Sequence, residues 1–80
     1  MQRDPALQAT FGIVLRKLRV EKGLSQEALA LESGLDRTFV SMLERGLRQP
    51  TLSSLFALAE ALQIPASRIV KLTEKDISSS

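Results

Sequence analysis

Gln26 to Arg45, QEALALESGLDRTFVSMLER, is the stretch whose reading decides how this chain folds. Two short segments of helical spacing flank Gly34, a residue that turns a chain sharply because it tolerates the left-handed conformation. Ser25 is a good N-cap for the first segment, and Glu27 sits near its positive end. Leu29 and Ala30 point that segment into a core. Asp36 is placed to cap the second segment, whose apolar face is Phe39, Val40 and Leu43, and Gly46 ends it.

Outward from this pair the pattern stays helical, with no period-two run and no internal repeat. Upstream, Leu7, Phe11, Val14 or Leu15, and Leu18 recur at intervals of three and four, one apolar stripe of a first helix that Gly23 ends. Downstream, Leu47-Arg48-Gln49-Pro50 leads to Thr51, the expected cap of a fourth helix with Leu52, Leu55, Leu58, Ala59 and Leu62 as its apolar face. Pro65 favours an extended Ile64 and opens a short fifth helix carrying Ile69, Val70 and Leu72. The expected fold is all-α, a compact five-helix bundle over residues 6–72. Residues 1–5 are expected to be a disordered end and 73–80 a flexible tail.

Composition narrows the function. Eighty residues suit one small domain with a modest core, so a partner subunit would help its stability. Cysteine is absent, which excludes disulfides and thiolate metal sites. Histidine is absent too, removing the commonest general base and metal ligand. No apolar run approaches the roughly 20 residues of a membrane span and no signal peptide is visible, so the expected location is the cytoplasm, with no membrane partner. Net charge is only +2, weak support for a nucleic-acid partner. Its distribution says more, because Arg37, Arg45 and Arg48 fall together, opposed only by Glu44.

The second helix of the pair can be sorted by angle. With Arg37 as origin, Ser41 falls at about 40°, Arg45 at about 80°, Thr38 at about 100° and Met42 at about 140°. Phe39, Val40 and Leu43 fall at about 200°, 300° and 240°. One face is thus apolar, and the other offers guanidinium, hydroxyl and thioether groups without a carboxylate. That is the layout of a helix-turn-helix whose second helix enters the DNA major groove. Arginine can bond guanine bidentately, hydroxyls serve several bases, and a methyl-bearing side chain packs on thymine. Arg45 and Arg48 lie where phosphates or bases are within reach, and Gln26 stands beside free N–H groups suited to a phosphate. A merely solvated face is the alternative, and Met42 equally suits a protein partner.

The segment from Gly12 to Leu62, GIVLRKLRVEKGLSQEALALESGLDRTFVSMLERGLRQPTLSSLFALAEAL, resembles the phage-repressor/Cro-like family, also called XRE-type. LDRTFVSMLERGLRQPT is similar to the controller proteins of restriction–modification systems. The resemblance implies a lambda-repressor-like fold, phosphate contact by Gln26, base contact by Arg37, Thr38, Ser41 and Met42, and loop contact by Arg48. It also implies a buried ion pair between Arg19 and Glu44. Two positions depart from the family pattern. Gln63 stands where a glycine usually follows the fourth helix, and Met42 stands where a polar residue or glycine is common.

One recognition helix reads too few base pairs to single out a site, so a homodimer on a palindromic double-stranded operator is expected. The family's habit of pairing through C-terminal helices makes Phe56, Ile64, Ile69 and Leu72 candidate interface residues. Ile69 divides evenly between interface and core, while Phe56 favours the interface. No cofactor, metal or small-molecule ligand is expected. The function expected is transcriptional regulation by operator occupancy. The alternative is a protein-interaction module of the same fold. An enzyme is disfavoured because no base is placed to activate Ser41 or Thr38.

Overall fold

Apolar residues at helical spacing bring together five helices among the described residues, 4–78 of the computed structural model. They are α1 (Pro5–Glu21), α2 (Gln26–Ser33), α3 (Arg37–Glu44), α4 (Leu52–Leu62) and α5 (Ala66–Ser78). The expected disorder at Met1, Gln2 and Arg3 and the last two serines of the tail lie outside the described residues.

Three of the helix starts are closed by side chains. Ser25 accepts from the Ala28 N–H at 3.0 Å, and Thr51 accepts from the Ser54 N–H at 3.0 Å. Asp4 accepts from the Leu7 N–H at 3.1 Å, with Pro5 opening α1, so the helix begins inside the stretch expected to be disordered. Asp36 corrects a second expectation. It occupies the N-cap of α3 with extended backbone, but its side chain makes no capping bond.

Every helix contributes at least one side chain without exposed surface: Leu15, Leu29, Val40, Leu43, Leu58, Leu62 and Ile69. Val14 and Leu15 are both buried, so the stripe on α1 is wider than a single choice between them. Ile69 is therefore core, which removes it from the candidate interface. The apolar face of α4 also needs correcting, since Leu52 is 72 % exposed. The fifth helix is not short. It continues six residues past the expected domain end at Leu72, and Thr73 is buried within it, its hydroxyl donating to the Ile69 carbonyl at 2.8 Å. The charged run Glu74-Lys75-Asp76 has the composition of a solvated tail. Packing of Ile69 and Thr73 against the bundle carries the helix through it.

α1 crosses the C-terminal end of α3 with no room to spare. A Cβ on Gly12 would collide with the carbonyl oxygens of Leu43 and Glu44, so glycine is required there by backbone approach. The end of α4 needs the opposite kind of tolerance. Gln63 takes φ 60°, the left-handed region, while the Ile64 N–H closes the helix onto the Ala59 carbonyl at 3.1 Å.

A left-handed L-residue costs roughly 1–2 kcal/mol, part of which the greater unfolded-state entropy of glycine offsets. Gln63→Gly should therefore raise stability by about 0.5–1 kcal/mol, seen as a higher denaturant midpoint at unchanged slope. A lowered midpoint would show that the Gln63 side chain contributes more than its backbone strain costs.

Candidate nucleic-acid interface

The face that presents α3 is organised by one carboxylate. Arg19, from α1, donates from Nε to Glu44 Oε2 at 2.6 Å and from Nη2 to Glu44 Oε1 at 2.9 Å. Its remaining nitrogen, Nη1, donates to the Leu24 carbonyl at 2.8 Å, fastening the α1–α2 connection. Gln26, the first residue of α2, donates from Nε2 to the same Glu44 Oε1 at 3.1 Å. The two side chains of the pair retain only 12 % and 3 % of their surface. The hydrogen bond to Glu44 holds the Arg19 guanidinium above its ordinary pKa, against the opposing pull of burial. Arg19 thus stays charged under all ordinary conditions, and its share of the stability would be lost only in strong alkali.

The helix pair itself follows from backbone chemistry. Gly34 adopts φ 74°, and the Leu35 N–H bonds the Ala30 carbonyl at 3.0 Å, turning the chain from α2 into α3. At the other end of α3, the Leu47 N–H reaches back to the Met42 carbonyl at 2.9 Å. That bond turns the chain into the loop of Arg48, Gln49 and Pro50.

Exposure grades along α3. Arg37 and Thr38 are exposed, Ser41 and Met42 are half-buried, and Val40 and Leu43 are inside. Arg45, Leu47, Arg48 and Gln49 are exposed beyond it. The angular sorting thus separates the faces, but it does not foresee that neighbouring elements half-cover Ser41 and Met42. Gln26 is also half-buried. One of its two amide hydrogens goes to Glu44, leaving the other for an external acceptor. Glu44 is the only acid between Arg37 and Gln49, and it is turned inward and bonded. The outer surface of that segment therefore carries three arginines and no carboxylate.

The residues considered for an interface divide. Phe56 is 59 % exposed, whereas Ile64 and Leu72 are half-buried against the core. Leu52, which the spacing assigns to the apolar face of α4, instead borders an open groove with Phe56 and Val70 between α4 and α5. Among the described residues, no group of three or more potential acidic, cysteine or histidine ligands could hold a metal. No helix among the described residues is long and apolar enough to cross a membrane.

A family model described as "Helix-turn-helix", HTH_3, matches residues 15–69. An uncharacterized HTH-type transcriptional regulator, y4dJ, of Sinorhizobium fredii is 42 % identical over 69 residues, covering 86 % of this chain and 90 % of its own. The restriction–modification controller protein C.AhdI of Aeromonas hydrophila is 48 % identical. Its crystal structure superposes with a TM-score of 0.76 over 78 % of this chain and 94 % of that one. The controller protein C.Esp1396I, solved as a tetramer in complex with its natural 35 base-pair operator, is 37 % identical. Its TM-score is 0.80 over 89 % of this chain and 93 % of that one.

Removing one partner of a buried ion pair leaves an uncompensated charge, at a cost of about 3–5 kcal/mol. Glu44→Ala should destabilise the chain by that order. Arg19→Lys should also destabilise, because a lysine cannot make the fork to Glu44 and the bond to Leu24 together. Thermal melts check both, and an unchanged midpoint for either would deny the pair its structural role.

Proposed function

The chain belongs to the helix-turn-helix family of the XRE type, and from that premise we infer that it is a transcriptional regulator that binds double-stranded DNA sequence-specifically as a homodimer. The observation that carries this function is the outer face of α3 and its following loop, basic and free of carboxylate because Glu44 is turned inward. α3 enters the major groove. Arg37 and Thr38, the most exposed side chains, read base edges, and Ser41 and Met42 complete the contact deeper along the helix. Gln26, Arg45 and Arg48 take the backbone and loop contacts. Gln26 is aimed by Glu44, which spares one of its N–H groups for a phosphate oxygen.

Two copies related by a twofold axis would present two α3 helices to half-sites roughly 34 Å apart. Leu52, Phe56 and Val70 form the exposed apolar face suited to that pairing, whereas Ile64 and Leu72 are half-buried against the core. The tetramer of C.Esp1396I on its operator supports an arrangement in which more than one copy assembles on one DNA site. Likeness to C.AhdI and C.Esp1396I favours a role like that of a restriction–modification controller. We assign the chain no catalytic step and no cofactor: it acts by occupying its operator, in the cytoplasm where that DNA lies.

Selection from a random duplex pool should enrich a motif with twofold symmetry. Arg37→Ala should weaken binding to it by about 1–3 kcal/mol and relax preference at one position per half-site. If no sequence is enriched, the fold serves a protein partner instead. If Arg37→Ala enriches the same motif at the same strength, Arg37 is not a reader. Phe56→Glu should shift the chain from dimer to monomer in sedimentation while leaving its helicity intact. A dimer that survives this change would place the interface elsewhere.

A further inference from the structure

Gln8 is a polar residue that the DNA-reading surface described above does not use. It lies on α1 and retains only 5 % of its surface, yet its side-chain amide makes no hydrogen bond to the protein. No fully buried side-chain nitrogen or oxygen among the described residues lacks a partner, so this amide must reach open space. Two openings meet at Gln8. One is an apolar groove bordered by Leu7, Phe11, Leu55 and Val70. The other is a cleft of about 410 Å³ lined by Gln8, Phe39, Leu47, Arg48, Gln49 and Thr51.

The chemistry of the second cleft is one-sided. Its charged and amide groups are a guanidinium and two carboxamides, and no carboxylate lines it. Thr51 brings the start of the eleven-residue α4 to its edge, where the helix dipole is positive. The Thr51 hydroxyl is already bonded to Ser54, which leaves Gln8, Arg48 and Gln49 as the side-chain donors. The Gln8 amide has no acceptor within the protein, and an oxyanion in this cleft would supply one. The cleft opens beside the loop that follows α3, on the flank of the DNA-reading face.

We propose that this cleft is a phosphate site in which the Gln8 amide, delivered from α1, joins Arg48 and Gln49 in holding an oxyanion of the DNA backbone. The proposal rests on the DNA-binding function inferred above and adds a residue from outside the helix-turn-helix to it. The contact carries no base information, so it strengthens binding without changing which sequence is read.

The test compares the full-length chain with Gln8→Leu and Gln8→Glu on the selected duplex and on an unrelated one. Gln8→Leu should weaken both by a similar factor, about tenfold for one lost hydrogen bond to a charged group, and leave the enriched motif unchanged. Gln8→Glu should weaken both further, because it puts a carboxylate against the phosphate. Melting temperatures keep folding separate: Gln8→Leu should melt no lower than the parent chain. Wild-type affinity in Gln8→Leu would overturn the proposal while leaving the DNA-binding function standing. The side-chain amide resonance of Gln8, followed by NMR in the parent chain, distinguishes the source of the oxyanion. A shift on adding the duplex places it in DNA. A shift with inorganic phosphate alone, in a chain that enriches no sequence, keeps the site but makes its ligand a free anion. No shift with either overturns it.

Discussion

Glu44 is the point on which the arrangement of the first three helices depends. Its carboxylate takes two bonds from Arg19 on α1 and one from Gln26 at the start of α2, while Glu44 is itself the last residue of α3. Three consecutive helices are thereby tied together through one side chain. Ion pairs buried this deeply gain little net stability over an apolar substitute, because desolvation offsets most of the attraction. Their value lies in geometry, since a forked guanidinium bonds a carboxylate in few orientations. The same contact has an electrostatic consequence. It withdraws the one acid of the segment from Arg37 to Gln49, leaving that surface positive although the whole chain carries a net charge of only +2.

Around that point the fold is built by close approach. Gly12 lets α1 lie directly on the carbonyls that end α3, so the recognition helix is braced from behind by backbone and not by a flexible side chain. Two independent devices, one polar and one steric, thus set how α3 projects. The remaining margin is thin, as in any chain of 80 residues, and a second copy covering Leu52, Phe56 and Val70 would add both stability and the second reading helix.

Much of this is legible along the chain because it is local. Ser25, Thr51, Gly23, Gly34 and Gly46 mark helix ends through short-range backbone chemistry, and each stands at such an end in the fold. Gln63 stands out through the family resemblance, where a glycine is usual, and it adopts φ 60°. The local signal fails where a neighbour decides the outcome. Asp36 has the right identity for a cap but makes no capping bond. Leu52 has core spacing, but it opens α4 and stays 72 % exposed. The polar end of α5 reads as a tail, yet Thr73 and Ile69 anchor it.

By itself the sequence determined the number of helices, most of their ends and the polar face of α3, because periodicity and capping act within a turn or two. Resemblance to a family added the Arg19–Glu44 pair, which no spacing reveals across 25 positions. Tertiary structure alone decided which apolar residues are left uncovered, how far α5 extends, and that the amide of Gln8 lies unpartnered beneath the Arg48 loop. Those properties depend on which surfaces of distant elements meet. A residue's own neighbours in sequence do not specify what lies against it in space.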